Sequence, residues 1–142
     1  MSTSHAALLE ISDLKVEFPT RRGTLVAVNG VTFNIEPGEV LGLVGESGAG
    51  KSMTGNAIIG LLEAPGRIAG GTIVLDGRRI DDLPYEEMRK IRGREIGAIF
   101  QDPLTSLNPL YTIERQLVET MMTHLDVSRG QARERAIELL NE

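Results

Sequence analysis

Residues 40–52 have the sequence VLGLVGESGAGKS, and this stretch decides the fold. Its opening run, VLGLV at 40–44, contains no polar side chain, which is typical of a short strand covered on both faces of a parallel sheet. The remainder, GESGAGKS, matches the phosphate-binding pattern G-x-x-x-x-G-K-[ST]. TGNAIIGLLEA at 54–64 then predicts a helix that ends before Pro65-Gly66. A strand, a glycine-rich loop and a helix in this order predict an α/β nucleotide-binding fold.

Each fixed position of GESGAGKS has a chemical reason. The glycines permit backbone angles at which successive N–H groups point inward around an anion. The helix that follows contributes unpaired N–H donors and partial positive charge at its N-terminus. Lys51 adds a positive charge for the outer phosphates, and the Ser52 hydroxyl is a suitable ligand for Mg²⁺. The alternative, a glycine-rich turn with an incidental lysine, does not account for the apolar run before the loop or for the helix after it.

Other local patterns narrow the class of P-loop protein. The further GTPase elements, D-x-x-G and N-K-x-D, do not occur in the 142 residues. IVLD at 73–76 resembles a strand that ends in a metal-assisting aspartate. However, Gly77 follows Asp76, and Asp-Gly is a favoured two-residue hairpin turn, so we predict a turn there.

Two stretches near the N-terminus predict antiparallel strands with one wet face. Apolar and polar residues alternate along LKVEF at 14–18 and along VTFNI at 31–35, with PTRRG at 19–23 as a turn between them. A further fully apolar run, IGAIF at 96–100, predicts a second strand buried on both faces.

Beyond residue 110 the pattern becomes helical. Apolar residues recur at every fourth position and predict one buried stripe, formed by Ile113, Leu117, Met121 and Leu125. Ser128 and Gln131 have the spacing of a capping box before another helix. The apolar residues predicted for that helix are Ala132, Ala136, Ile137 and Leu140.

Composition excludes several other classes of protein. The 41% apolar and 25% charged residues are ordinary for a soluble globular chain, and the net charge of −5 argues against a nucleic-acid partner. There is no cysteine, hence no disulfide and no thiolate metal site. The N-terminus lacks the basic and apolar order of a signal peptide, and no apolar run approaches the ~20 residues that span a bilayer. We therefore expect a soluble protein of the cytoplasm.

FQDPLTSLNP at 100–109 has two interpretations. It is typical of a strand-ending turn, yet Gln101 also has an amide that can donate and accept without adding charge. GESGAGKS followed by a strand ending in Gln-Asp-Pro resembles the nucleotide-binding subunit of ABC transporters. RGREIGAIFQDPLTSLNPLYTI at 92–113 is similar to the ATPases of oligopeptide, dipeptide and nickel importers in particular. The resemblance extends over residues 8–142.

The resemblance implies a role for each matching residue. Gln101 is expected to be the Q-loop residue, which ligates Mg²⁺ or orients the attacking water and passes that state to the membrane subunit. Phe18 is expected to stack on adenine, unless it is only the last inward residue of its strand. Lys51 and Gln101 are expected to act in hydrolysis, and Ser52 and Gln101 to hold Mg²⁺. The expected ATP-binding residues are Phe18, Gly45, Glu46, Ser47, Gly48, Ala49, Gly50, Lys51, Ser52 and Met53.

The resemblance also implies the fold class, an α/β P-loop NTPase core of ABC type with an antiparallel β subdomain. A polar tail at 1–7 precedes the nucleotide-binding core at 8–102, and a helical subdomain begins at 103–142. An LSGGQ-type signature, a Walker B Asp with its catalytic Glu, and a switch His do not occur in these residues. We therefore expect an incomplete domain that binds Mg–ATP weakly by itself, hydrolyses it negligibly and leaves sheet edge and apolar surface uncovered.

The function implied is that of an ATP-hydrolysing subunit that energises import of peptides or related small solutes. The expected partners are transmembrane permease subunits, a second ATPase subunit in a head-to-tail homo- or heterodimer, and indirectly a solute-binding protein, but no nucleic acid. The expected location is the cytoplasmic face of a bacterial or archaeal membrane. Dipeptides, oligopeptides, nickel and glutathione stay open as cargo. Two alternatives also stay open: a non-transport ABC protein of DNA repair or translation, and a truncated, non-catalytic nucleotide-binding chain.

Overall fold

The computed structural model describes residues 7–101 and 106–142, and an antiparallel sheet dominates its first half. The sheet has the order β2-β1-β3-β4. Its strands are β1 (Leu9–Thr20), β2 (Gly23–Ile35), β3 (Arg67–Leu75) and β4 (Arg78–Arg79). β1 lies between β2, which follows it across a tight turn, and β3, which comes much later in the chain. The predicted antiparallel pair is confirmed, with both strands longer than the alternation indicated.

The core of this sheet is formed by apolar side chains of its two inner strands. Ile11, Leu14 and Val16 of β1 and Ile73 of β3 are at most 1% exposed. Burying an aliphatic side chain of this size stabilises a fold by about 1.5–3 kcal/mol. The inner strands therefore hold this half of the chain together.

The predicted hairpin turn at Asp76-Gly77 is confirmed. It joins β3 to β4, with φ of 45° at Asp76 and 74° at Gly77. Two successive positive φ values are what a type I′ turn requires. Asp76 is therefore a turn residue rather than the end of a metal-binding strand.

A buried carboxylate closes the edge of the sheet beside this turn. Asp81, whose side chain is 4% exposed, accepts the Ile73 N–H at 2.7 Å and pairs with the Arg79 guanidinium at 2.8 Å. Burial raises the pKa of the Asp81 carboxyl, but the hydrogen bonds from Arg79 and Ile73, together with the Arg79 charge, outweigh it. The pKa therefore lies below its ordinary value, and the carboxylate form stabilises the fold.

The helices are α1 (Lys51–Ile58), α2 (Tyr85–Ile91), α3 (Ile113–His124) and α4 (Arg129–Asn141). The chain divides into two compact units, one ending at Arg89 and the other running from Lys90 to Glu142. That division does not test the predicted subdomains at 8–102 and 103–142, which stay a prediction. The predicted capping box is confirmed, because Ser128 Oγ accepts the Gln131 N–H and Gln131 Oε1 accepts the Ser128 N–H.

The apolar stripe predicted on α3 is confirmed only in its middle, where Leu117 and Met121 are half-buried. The buried residue of α3 is Val118, whereas Ile113 and Leu125 are 44% and 54% exposed. α4 does bury Ala132 and Ala136 as predicted, although its larger apolar side chains are exposed: Ile137, Leu139 and Leu140. In the unit that begins at Lys90, α3 and α4 pack on each other, so each of them buries one narrow face.

The two fully apolar runs do not form the strands predicted for them. Residues 40–44 and 97–100 lie outside any strand, and Ile96 makes only an isolated bridge with Arg92. Val44 is 92% exposed, and Ile99 is fully exposed. A strand buried in a parallel sheet needs neighbours on both sides, and no strand in the described ranges pairs with either run. Without those neighbours, apolar character alone does not produce a strand.

Candidate nucleotide site

Helix α1 differs from α3 and α4 because no side chain caps its N-terminus. α3 and α4 have side-chain caps, Thr112 and Ser128, which accept a backbone N–H of the first turn. α1 begins after Gly50, which has no side chain to offer, and its first turn contains no acidic residue. The initial N–H groups of a helix have no partner within the helix. The N-terminus of α1 therefore has the donors and the partial positive charge that attract an anion.

Two glycines shape the loop before α1. Gly48 and Gly50 have φ of 84° and 87°, values that residues with a Cβ rarely adopt. Gly50 also lies directly on β2, because a Cβ at this position would come 2.6 Å from the Ala27 carbonyl oxygen and 3.3 Å from Val28 Cγ2. The start of α1 is thereby held against a strand of the sheet.

Lys51 folds back over the loop and braces it. Its Nζ donates to the Gly45 and Glu46 carbonyl oxygens, each at 2.7 Å. An ammonium group has three N–H donors, so these two bonds leave one for a further acceptor. The carbonyl of Gly50 is also engaged, since it accepts both the N–H of Thr54 at 2.8 Å and its hydroxyl at 3.0 Å.

The loop encloses a cavity of about 170 Å³ at the start of α1. All six predicted nucleotide-binding residues after Ser47 line it, and Ala27 of β2 closes one side. The lining residues are Ala27, Gly48, Ala49, Gly50, Lys51, Ser52 and Met53. Ala27 was not predicted, because alternation along β2 indicates which residues face inward but not what packs against them.

The donor set of this cavity fits a phosphate group. It combines an uncapped helix N-terminus, one ammonium group and the exposed hydroxyl of Ser52, with no acidic residue in the first turn. Residues 7–101 and 106–142 contain no cluster of three or more His, Cys, Asp or Glu that could hold a metal ion.

Phe18 has a packing role that the sequence left as an alternative. It is half-buried near the end of β1, and its ring lies on Gly66, where an added Cβ would come 2.6 Å from Cε1. The ring edge thus packs on the turn that leads into β3. Stacking of Phe18 on adenine stays a prediction.

Gln101 is exposed and lies outside any helix or strand, in the unit that begins at Lys90. The Asp102 and Pro103 of the predicted Q-loop lie outside the described residues, as do residues 104 and 105. The role expected of Gln101 in Mg²⁺ binding and hydrolysis therefore stays a prediction. In the described chain, no helix has the length and apolar character needed to cross a membrane.

A glycine loop that leaves a helix N-terminus open, braced by a lysine and backed by a strand, defines a P-loop nucleotide-binding protein. Comparison with known proteins identifies the family within this class. The chain belongs to the ABC transporter family, whose sequence model matches residues 28–142. The predicted family and fold class are confirmed.

Curated relatives within that family are named as ATP-binding proteins of peptide transport. The chain is 47% identical over 135 residues to the oligopeptide transport ATP-binding protein OppD of Escherichia coli, covering 95% of this chain and 40% of OppD. It is 40% identical over 136 residues to the dipeptide transport ATP-binding protein DppD of the same organism, covering 96% of this chain and 42% of DppD. The chain thus spans about two fifths of the length of these relatives.

A solved structure gives the same fold. The dimeric ATP-binding cassette MJ0796, in a post-hydrolysis state bound to ADP and Pi, superposes with a TM-score of 0.81 at 27% sequence identity. The match covers 94% of this chain and 56% of the cassette. Since the compared folds agree over nearly the whole chain, the described residues are part of an ABC ATPase cassette.

Proposed function

We propose that the protein carrying these residues is the ATP-binding subunit of an importer for peptides or related small solutes. The observation that carries the proposal is the open N-terminus of α1 beside Lys51, in a chain 47% identical to an oligopeptide transport ATP-binding protein. ATP binds with its phosphates on the loop at 45–52, and hydrolysis in the whole protein drives transport. The acidic balance of the chain, −5, speaks against the nucleic-acid partner of a repair or translation protein.

Each residue of the loop has a part in holding Mg–ATP. The N–H groups at the start of α1 donate to the phosphate oxygens, and Lys51 uses its remaining N–H donor without releasing Gly45 or Glu46. The Ser52 hydroxyl is one ligand of Mg²⁺, and the Gln101 amide oxygen is another. Mg–ATP itself supplies the phosphoanhydride bond and the neutralisation of phosphate charge.

The partners follow from the same proposal. The subunit lies at the cytoplasmic face of the membrane on transmembrane permease subunits, and indirectly serves a solute-binding protein. It pairs with a second ATPase subunit, which completes the nucleotide site from the opposite side. Residues 1–142 by themselves hold only the P-loop side, so they bind Mg–ATP weakly and do not turn it over.

Substitution of Lys51 tests the nucleotide site. Lys51→Ala removes a charge-assisted hydrogen bond to phosphate, worth about 1.5–3 kcal/mol, and also the brace across the loop. ATP affinity, measured by calorimetric titration, is expected to weaken at least about tenfold. Lys15→Ala is the matched control, because Lys15 is a partly exposed lysine of β1 that forms an ion pair with Glu17 at 3.2 Å. Equal affinities for wild type and Lys51→Ala contradict the proposal.

Measurements of ATP hydrolysis and of co-purification with permease subunits test the rest of the proposed function. The whole subunit is expected to hydrolyse ATP and to co-purify with permease subunits, whereas purified residues 1–142 show no turnover. Turnover by residues 1–142 at the rate of the whole subunit contradicts the half-site interpretation. Isolation of the whole subunit on nucleic acid, without permease, favours the repair or translation alternative.

A further inference from the structure

The chain segment that contains α1 rests on the sheet at both of its ends. At the start, Gly50 lies against β2, where a Cβ on Gly50 would come 3.3 Å from Val28 Cγ2. At the far end, Gly66 lies against β1, where a Cβ on Gly66 would come 2.6 Å from Cε1 and 2.8 Å from Cζ of the Phe18 ring. Glycine allows so close an approach because it has no side chain. The first contact holds the start of the helix at the phosphate loop, and the second holds the edge of an aromatic ring.

Both contacts lie on the same face of the sheet. Val28 pairs with Val16 across the two strands, so their side chains share a face. Phe18 follows Val16 by two residues in β1, and successive side chains of a strand alternate between the faces. The Phe18 ring therefore lies on the face that Gly50 and the phosphate loop approach.

The ring is also near the phosphate cavity along the strands. Phe18 pairs with Leu25, and Ala27, which lines the cavity, comes two residues after Leu25. Two residues of a strand span about 7 Å. A nucleotide carries phosphates at one end and an aromatic base at the other, and stacking on an aromatic side chain is a recurrent way of holding a base. A half-buried ring at this position thus complements a phosphate site.

Residue 66 is glycine for the sake of space and not of its backbone angle. Its φ lies outside the left-handed region, unlike the φ of Gly48 or Gly50. The turn that holds it is closed by a hydrogen bond from the Gly66 N–H to the Glu63 carbonyl at 2.7 Å. A side chain at this position would occupy the place of the ring edge, so the ring or the turn would have to move. The absence of a side chain at residue 66 therefore decides where the Phe18 ring lies.

We propose that Gly66 is a positioning residue for the base of the nucleotide. It leaves room for the edge of the Phe18 ring, and the ring is thereby held at the place where the base stacks. The inference rests on the proposed function and on Phe18 as the stacking residue. Other residues line the phosphate cavity, namely Ala27 and residues 48–53, so the effect of Gly66 is on the base and not on the phosphates.

The experiment compares two ligands on the whole subunit: ATP, and inorganic tripolyphosphate, which has the phosphates without the base. Gly66→Ala displaces the edge of the Phe18 ring. By calorimetric titration, we expect ATP affinity to fall at least about fivefold and tripolyphosphate affinity to stay within about twofold of wild type. A merely structural defect in the P-loop weakens both ligands together, and that result overturns the inference.

Gly55→Ala is the matched control, because it adds the same methyl group within the same segment of chain. Gly55 lies inside α1, and a Cβ on it would meet no atom within 4 Å. We expect the affinities for both ligands to be unchanged in this variant.

A double substitution separates the ring from the turn. The Cβ added by Gly66→Ala also comes 2.8 Å from the Glu63 carbonyl oxygen, so it strains the turn even when no ring is present. If Gly66 acts through the ring, Gly66→Ala changes ATP affinity by less than about twofold in a Phe18→Ala background. A further fivefold loss in that background overturns the inference, because the effect then comes from the turn.

A measurement on the wild-type subunit keeps the inference testable if Gly66→Ala folds poorly. With glycine amides isotopically labelled, the Gly66 resonance is expected to shift when ATP binds, because a stacked base changes the surroundings of the ring, and to stay in place with tripolyphosphate. A Gly66 resonance that responds equally to both ligands or to neither, or an ATP affinity that Phe18→Ala leaves unchanged, overturns the inference while the proposed function stands. A wild-type subunit that binds neither ligand overturns the proposed function and the inference with it.

Discussion

The core residues of the sheet and the two apolar runs, at 40–44 and 96–100, are similar aliphatic side chains in opposite environments. Ile11, Leu14 and Ile73 of the sheet are at most 1% exposed, whereas Val44 and Ile99 are more than 90% exposed. The sheet strands have their hydrogen-bonding neighbours within the described chain, and the runs do not. The runs are also the segments that lead into the P-loop and into Gln101. Local apolar character is thus insufficient for a strand, because a strand also needs hydrogen-bonding neighbours.

Truncation of one side chain in each region tests whether the sheet and the run at 40–44 differ in packing. Ile73→Ala in the sheet is expected to lower the free energy of unfolding by about 2–5 kcal/mol, because it leaves a cavity in a packed core. Val44→Ala in the exposed run is expected to change it by less than about 0.5 kcal/mol. Urea denaturation of residues 1–142 measures both. Equal losses would show that the run is packed as firmly as the sheet.

The same two substitutions, Ile73→Ala and Val44→Ala, can also be measured in a longer protein of the family. If added chain supplies neighbours to residues 40–44, Val44→Ala there costs as much as a core substitution. A value that stays near zero in the longer protein contradicts the dependence on partner strands.

Gly50, which precedes α1, and Gly55, which lies within it, test the packing of the P-loop on the sheet. Gly50→Ala is expected to destabilise the protein by about 1–3 kcal/mol and to weaken phosphate binding, because φ is 87° and the new Cβ would meet the Ala27 carbonyl. Gly55→Ala is expected to stabilise it by about 0.5–1 kcal/mol, since Gly55 is helical with open space around it. Thermal unfolding measures the change in stability of both variants, and titration with phosphate measures their phosphate binding. The same sign of stability change in both variants contradicts the packing of the loop on β2.

A smaller effect is expected from pH at the sheet edge. The pKa of Asp81 lies below its ordinary value in the folded protein, so its contribution is present above the unfolded pKa, about 4, and is lost as pH falls through the lower folded value. Asp81→Asn is expected to cost about 1–2 kcal/mol at neutral pH and progressively less below about pH 4. Asp82→Asn is the control, because Asp82 is 59% exposed. A pH-independent loss for Asp81→Asn contradicts the role of the carboxylate charge.

Features that depend on local backbone chemistry could be predicted from sequence. The turn at Asp76-Gly77 follows from the two positive φ values that these residues tolerate. The capping box of Ser128 and Gln131 and the glycines of the P-loop are of the same kind. In each case, two to eight adjacent residues specify the geometry, so no distant contact is needed to predict it.

Features that depend on distant contacts could not be predicted. Ala27 beneath Gly50 becomes part of the site only because α1 packs on β2. The first residues of β3 were not predicted as a strand, because Gly70 and Gly71 interrupt the pattern of apolar residues. Gly71, with φ of 81°, lies against the Ser12 carbonyl at a bulge of β1. The hydrogen bond from the Asn108 N–H to Gln116 Oε1 could likewise not be predicted, because no sequence pattern relates these two residues.

The pairing of β1 with β3 has a consequence for the order of folding. β1 and β2 form a local hairpin, but Glu17 pairs with Arg67 only when the intervening chain closes into a long loop. That loop contains the whole of GESGAGKS and α1. Long-range closure is slow compared with hairpin formation. The hairpin of β1 and β2 is therefore expected to form before β3 joins the sheet and closes the long loop that carries GESGAGKS.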